Sequence, residues 1–238
     1  MQELPIAECF TAPQGEGVHV GRLMTFVRLA GCTVGTRYPK QYYDGTSPDR
    51  VVSDPLFPIY TNECHLYDGR SFPCDTDYRN NLGKHSVEGI LKLIIANGNA
   101  PTICISGGEP LMHDIFPLVS ALKAQDRQVH IETSGTIPIT TKIEEILDMI
   151  DHVAISPKLG FRDEYSLFSD EIKLLVDEHF EWERVPSEIK QMSRKIYLQP
   201  VNYEKNINHA NVERCLVLQR TNPDLLLSTQ NHKIWETR

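Results

Sequence analysis

Thr102-Ile103-Cys104-Ile105-Ser106-Gly107-Gly108-Glu109-Pro110 is the stretch on which the fold reading turns. A short apolar run, rich in β-branched residues, empties into two glycines and a carboxylate. The same grammar recurs along the chain. The run at 129–131 ends in Glu132-Thr133-Ser134-Gly135, and that at 152–155 in Ser156-Pro157-Lys158. The run at 195–198 ends in Gln199-Pro200, and that at 225–227 in Ser228-Thr229-Gln230-Asn231-His232-Lys233. Further apolar runs lie at 23–29 and 172–176. Stretches with helical periodicity at 86–96, 115–124, 142–150, 187–193 and 208–219 separate them, with Ser86 placed to cap the first. Strand–helix alternation at roughly 25 residues per unit predicts parallel pairing and an α/β architecture. An open sheet and a partial barrel both fit. Polar clusters at five strand ends mark the rim where parallel α/β folds bind ligands. The plain alternative, that loops are polar because they are wet, covers one such cluster better than five. Bare backbone at Gly107-Gly108 would admit a ligand closely, and Glu109 would suit an amino group. The motif is neither a dinucleotide fingerprint nor a phosphate-binding loop.

Composition narrows the classes. The chain has 238 residues, 40% hydrophobic and 24% charged, an ordinary globular make-up. Asp plus Glu outnumber Lys plus Arg by 32 to 24, a net charge of −8, which argues against nucleic acid as a partner. No run approaches the ~18 apolar residues of a membrane span. The opening MQELPIAECF has no basic segment followed by an apolar one, so the expected location is the cytoplasm. The whole chain, 1–238, reads as one domain. Residues 33–73 form a polar, proline-punctuated insertion without helical period, a length that is usually functional or disordered.

Six cysteines remain: Cys9, Cys32, Cys64, Cys74, Cys104 and Cys215. In a reducing compartment, cysteines that act together hold metal or do redox chemistry. Cys104 lies in a strand and Cys215 in a helix, and both read as small buried hydrophobes; Cys9 is ambiguous. Cys32, Cys64 and Cys74 follow a C-x31-C-x9-C spacing. A structural zinc site wants four closed ligands, whereas three thiolates suit a [4Fe–4S] cluster with one iron open to another ligand. His65 and His113 are candidate fourth ligands, though such histidines are more often loop residues.

The chain resembles the 7-carboxy-7-deazaguanine synthases, radical S-adenosylmethionine enzymes of queuosine and related deazapurine biosynthesis. The likeness rests on Pro13-Gln14-Gly15-Glu16-Gly17, Phe26-Val27-Arg28-Leu29-Ala30-Gly31-Cys32 and Cys74-Asp75-Thr76-Asp77. It continues through Gly107-Gly108-Glu109-Pro110, Glu132-Thr133-Ser134-Gly135-Thr136 and Ser156-Pro157-Lys158-Leu159, then Glu171-Ile172-Lys173, Leu198-Gln199-Pro200 and Gln230-Asn231-His232-Lys233. The resemblance implies a modified, partial (β/α) barrel, a homodimer, an electron donor such as a flavodoxin, a [4Fe–4S] cluster, S-adenosylmethionine and Mg²⁺. The implied reaction converts 6-carboxy-5,6,7,8-tetrahydropterin to 7-carboxy-7-deazaguanine: a 5′-deoxyadenosyl radical takes hydrogen from C6, the ring contracts and ammonia leaves. By the same resemblance Cys32, Cys64 and Cys74 hold the cluster and Thr76 gives an oxygen to Mg²⁺. Gly108, Glu109, Ser134, Ser156, Pro157, Lys158 and Gln199 cradle S-adenosylmethionine, with Glu109 on its amino group. Pro13, Gln14, Gly15 and Glu16 meet the pterin's amide and amine edge, Arg28 pairs with its carboxylate, and Ser106, His232 and Arg238 complete the pocket. No protein residue is implied to do chemistry beyond these cofactors.

This sequence departs from the family pattern in two places. The last two family cysteines are usually separated by two residues, which would put the partner of Cys74 at position 71, where Ser71 stands; Cys64 is the nearest upstream cysteine. Asn231 and Ile234 stand where Thr and Tyr are expected. Two other readings use the same residues: another small radical S-adenosylmethionine enzyme, such as a glycyl-radical activase, and a non-enzymatic metal-binding interaction module.

Overall fold

The structure is a computed structural model that describes residues 2–34, 63–74, 76–79, 81–191, 195–202 and 207–235. The remainder of the inserted segment, 35–62, and Arg238 therefore lie outside the described residues.

The strands are β1 (Glu3–Pro13), β2 (Leu23–Leu29), β3 (Glu63–His65), β4 (Ser71–Pro73), β5 (Lys84–Ser86), β6 (Thr102–Gly107), β7 (Gln128–Thr133), β8 (His152–Ile155), β9 (Glu171–Val176), β10 (Lys195–Pro200) and β11 (Leu226–Leu227). The helices are α1 (Val87–Ala96), α2 (Phe116–Lys123), α3 (Thr141–Met149), α4 (Ser187–Gln191), α5 (His209–Thr221) and α6 (Asn231–Ile234). Among the described residues nine strands form one sheet, in the order β11-β10-β9-β8-β7-β6-β2-β1-β5. From β2 to β11 every neighbouring pair is parallel; β1 pairs antiparallel with both β2 and β5. The expected α/β architecture is present, and the runs at 23–29 and 152–155 are strands with those bounds. β1 is a strand that hydrophobic runs did not mark. The inserted segment is not wholly irregular either, because β3 and β4 form a hairpin within it.

Alternation along the strands sorts side chains into two compartments. On β6, Ile103 and Ile105 belong to the main core; on β7, Val129 and Ile131 do so. That core lies between the sheet and the helices, with Ile90 and Ile94 of α1, Leu118, Val119 and Leu122 of α2 and Ile146 and Leu147 of α3. Side chains of opposite parity, including Phe10, Phe26 and Cys104, form a second small cluster on the inner face. Helix starts are locally specified: Ser86 accepts from Gly89 N at 3.2 Å and Asn208 from Ala210 N at 3.1 Å, caps worth about 1 kcal/mol each. Among the described residues no helix is long and apolar enough to cross a membrane.

The sheet is curled, because the segment after β1 crosses its inside. Val18 N donates to Glu171 Oε2 on β9 at 2.8 Å, and Gly17 N to Ser228 Oγ beyond β11 at 3.0 Å. Those partners are many strands away from β1 in the sheet order, so the open edges must approach one another. This strap, residues 14–19, sits against the N-terminal ends of β8 and β9. Gly17 has φ +65, and a Cβ there would lie 2.2 Å from Glu171 Oε1, so only glycine passes.

His19 of the strap packs against His130 and His152, with ring centroids 4.5 and 4.4 Å apart; His130 and His152 are 5.1 Å apart. Burial lowers the His19 pKa and pushes that of His130 down to about 3, reinforced by the neighbouring imidazoles and Arg22 and opposed at His130 by Asp151 and at His19 by Glu171. The unfolded chain therefore binds more protons than the folded one below the ordinary histidine pKa of about 6.5, and stability must fall with pH from there towards about 3. His130→Gln is expected to flatten the decline of Tm between about pH 7 and pH 5 relative to the parent chain; superimposable Tm-against-pH curves would contradict it.

Candidate functional site

A cavity of about 1180 Å³ occupies the inside of the curled sheet. Its lower wall is the strap. Gln14, Gly15 and Glu16 line it, and α6 closes over them: Asn231 N donates to Gly15 O at 2.9 Å, and His232 lies so close that a Cβ on Gly15 would fall 2.4 Å from its Nδ1. Arg28 reaches in from β2. It donates to Thr76 Oγ1 at 3.0 Å, and its buried Nε, which makes no hydrogen bond among the described residues, lies 3.6 Å from Glu8 Oε2. Its planar fork matches a carboxylate.

The six cysteines divide evenly. Cys9, Cys104 and Cys215 are buried, and burial raises all three thiols, Cys9 to about 11 and Cys215 to about 12. That resolves Cys9 as another packing residue. Cys32, Cys64 and Cys74 are half-buried and line the cavity. Cys64 pairs opposite Phe72 in the β3–β4 hairpin, one step from the pair Glu63–Pro73 that precedes Cys74. Residues opposite one another in a ladder share a face, so Cys64 and Phe72 face the same side, and Cys74 follows directly after the last residue of β4. Among the described residues no three His, Cys, Asp or Glu side chains converge on a point that would hold a single metal ion. A [4Fe–4S] cluster asks for something else, since each thiolate binds its own iron and the sulfurs stand apart around the cube. Three half-buried thiols bordering one cavity fit that group.

The Gly-Gly-Glu turn packs closely on the loop that carries Cys32. A Cβ on Gly107 would fall 2.1 Å from Leu29 O, and one on Gly108 would fall 1.8 Å from Gly31 O. The glycines are bare so that this turn can stack on the Cys32 loop, and Gly108 N and Glu109 N donate to Leu29 O and Gly31 O at 3.2 and 2.9 Å. His113 Nε2 lies 2.7 Å from Ala30 O and braces the same loop. Glu109 is fully buried and is not among the residues that line the cavity. Its carboxylate accepts from Leu111 N at 3.0 Å, Thr133 Oγ1 at 2.8 Å, Ser134 N at 2.8 Å and Ser134 Oγ. Burial raises its pKa, against those hydrogen bonds. Glu109 thus fixes Ser134, which does line the cavity.

Gly108, Ser134, Ser156, Lys158 and Gln199 border the cavity, and so do Pro13, Ser106, Thr76 and His232. Lys158 Nζ donates to Ser156 Oγ at 2.6 Å. Pro157 is not among the lining residues.

This arrangement has close relatives. No family model matches the chain. The 7-carboxy-7-deazaguanine synthase of Escherichia coli K12 is 30% identical over 97% of this chain and 97% of its own length. The chain belongs to the 7-carboxy-7-deazaguanine synthase family. The family's Synechocystis member is 26% identical over 96% of this chain and 91% of its own. The crystal structure of QueE from Escherichia coli matches with a TM-score of 0.64 at 27% identity, covering 95% of this chain and 93% of that one.

Within this synthase-family site, two residues had no role in the sequence reading. Lys173 is buried, and its Nζ lies 2.8 Å from Glu16 Oε2 and 3.3 Å from Glu132 Oε1. Ser106 Oγ and Gln14 Nε2 donate to Glu132 at 3.0 and 3.2 Å, while Gln199 Nε2 and Gln230 Nε2 donate to Glu16 Oε1 at 3.0 and 3.3 Å. Burial alone would favour the neutral forms of Lys173 and Glu132. The attraction of Glu132, Glu16 and Glu171 instead holds the Lys173 pKa well above its usual value, and Lys173 with Arg28 holds Glu132 well below the usual carboxylate range. The available signal was a charge inside an otherwise apolar strand, Ile-Lys-Leu-Leu, at an inward parity.

Removing one member of such a group leaves an uncompensated buried charge. Lys173→Met is expected to cost about 3–5 kcal/mol of unfolding free energy at neutral pH, measured by urea denaturation. The deficit should shrink as pH falls from the ordinary Glu pKa of about 4.3 towards about 2, where Glu132 of the parent chain takes up its proton and loses the attraction of Lys173. An undiminished deficit there would remove the electrostatic explanation.

Proposed function

We propose that this chain carries out the ring contraction of 6-carboxy-5,6,7,8-tetrahydropterin to 7-carboxy-7-deazaguanine, with loss of ammonia. The observation that carries the reading is the composition of the cavity lining. Three half-buried thiols border the cavity together with Arg28, Gln14 and Glu16. The full-length family match favours this over a glycyl-radical activase or an interaction module. In our reading Cys32, Cys64 and Cys74 hold a [4Fe–4S] cluster and Thr76 gives Mg²⁺ an oxygen ligand. Ser134, Ser156, Lys158, Gln199 and the Gly108 backbone hold S-adenosylmethionine, and Pro157 shapes the turn between two of them. When bound, the cluster and S-adenosylmethionine together supply the 5′-deoxyadenosyl radical.

The chain's own residues bind and orient. Arg28 presents its guanidinium fork to the pterin carboxylate. Gln14 and Glu16 present an amide and a carboxylate to the pterin's donor-rich edge. A carboxylate has about four lone-pair sites, and Lys173, Gln199 and Gln230 take three on Glu16, which leaves one for a substrate amine. Ser106 and His232 border the same space, and the walls keep water from the reacting carbon. Glu109 acts on S-adenosylmethionine through Ser134. The chain functions as one domain within a homodimer in the cytoplasm, reduced by a donor such as a flavodoxin.

The test is anaerobic reconstitution followed by supply of the carboxy-tetrahydropterin with a chemical reductant. About four iron atoms per chain, as one cluster requires, and formation of 7-carboxy-7-deazaguanine are expected; a loaded protein that cleaves S-adenosylmethionine but leaves this pterin unchanged would exclude the assignment. Arg28→Met is expected to raise KM for the pterin by about 10- to 100-fold, the worth of a charge-assisted pair, with S-adenosylmethionine affinity retained.

A further inference from the structure

The hairpin that carries Cys64 is too small to hold itself. Each strand is three residues long, and an isolated two-stranded hairpin is at best marginal in water. Something must fix where Cys64 and the start of the Cys74 segment stand over the cavity.

Two attachments do so. On one side the hairpin is stitched to the loop after β8: Leu159 N donates to His65 O at 2.9 Å, and Leu66 bridges to Lys158. On the other side Arg70, at the end of the turn, reaches the end of β9. Its Nε donates to Asp68 Oδ2 at 2.8 Å, one terminal nitrogen donates to Leu175 O at 3.0 Å, and the other pairs with Asp177. The guanidinium carbon stands 5.1 Å from the centroid of the Phe180 ring. All three charged side chains are largely enclosed, with relative exposures of 11% for Arg70, 3% for Asp68 and 14% for Asp177. Leu66 N also donates to Arg70 O at 2.8 Å, so the turn that bears the anchor is itself closed.

We infer that Arg70 is a positioning residue for iron–sulfur cluster binding: by clamping the hairpin turn to the end of β9 it sets Cys64 beside Cys74, in place of the short spacing that this sequence lacks. The inference rests on the reading that Cys64 is a cluster ligand. The chemistry favours arginine for the task. A planar fork can meet two carboxylates and a carbonyl at once and still lie on an aromatic face, whereas an ammonium is a single point of charge. Residues that orient ligands from behind are commonly worth 10- to 100-fold in metal affinity.

The experiment compares the parent chain, Arg70→Met, Arg70→Lys, Asp177→Asn and Cys64→Ser. Each is reconstituted anaerobically with iron and sulfide and checked for native far-ultraviolet circular dichroism. The readouts are iron retained against a chelator and the electron paramagnetic resonance spectrum of the reduced cluster with and without S-adenosylmethionine. Arg70→Met is expected to hold its cluster roughly 10- to 100-fold less tightly than the parent, with an altered spectrum. Arg70→Lys and Asp177→Asn should fall between the two. If Arg70→Met does not fold, Asp177→Asn, which keeps the Asp68 and Leu175 contacts, decides the matter by the same readouts. Cys64→Ser separates the two levels of the argument. A parent-like cluster in that variant would remove Cys64 from the ligand set and the inference with it. Loss of the cluster in Cys64→Ser, with parent-like retention and spectrum in folded Arg70→Met and Asp177→Asn, would overturn the role of Arg70 alone.

Discussion

The pairing of Lys173 with Glu16 is the contact on which both the shape of the sheet and the floor of the cavity depend. It joins a strap that leaves β1, near one edge of the sheet, to β9, near the other. Bringing two such charges out of water costs several kcal/mol per ion, and attraction between them repays that only when the remaining lone pairs and protons are also satisfied. Here they are: Glu132 supplies the second anion, and Gln199, Gln230 and Ser106 donate to the two carboxylates. Closure of the sheet is thus achieved by side chains rather than by a strand pair. The same groups that close it face the ligand space.

That economy shapes the rest of the site. The inner faces of the strands carry charge and amide because they border a cavity; the outer faces carry Ile, Val and Leu because they meet helices. Groups just behind the wall are spent on holding those in front. Glu109 holds Ser134, His113 holds the Cys32 loop, and Gly107 and Gly108 allow that loop to lie directly on theirs. Such supports fix orientation before any ligand arrives, which lowers the entropic cost of binding.

Much of this was legible in the sequence, for a physical reason. β2, β6, β7, β8, β9 and β10 each pack an outer face against helices, so each leaves a β-branched signature, and the polar residues at their ends mark the rim. β1 was hidden. Its register shifts between Ile6 and Glu8, so Leu4 and Ile6 face the main core before the bulge and Cys9 does so after it, breaking the alternation that would announce a strand. Lys173 and Glu132 were hidden because their meaning lies in partners up to 157 residues away. Glu109 was visible, but its string cannot tell whether a carboxylate will look into a pocket or be enclosed by Thr133 and Ser134.

Antiparallel pairing between Glu63–His65 and Ser71–Pro73 turns a question of spacing into one of parity. Cys64 lies opposite Phe72 in that ladder, and Cys74 follows immediately after its last pair. Lengthening the bend at its tip would leave that relation intact, at little entropic cost. Adding a single residue within β3 would rotate the Cys64 sulfur to the opposite side of the ribbon. A descendant of this chain is therefore free to vary the number of residues in the bend, but not the register that sets Cys64 opposite Phe72.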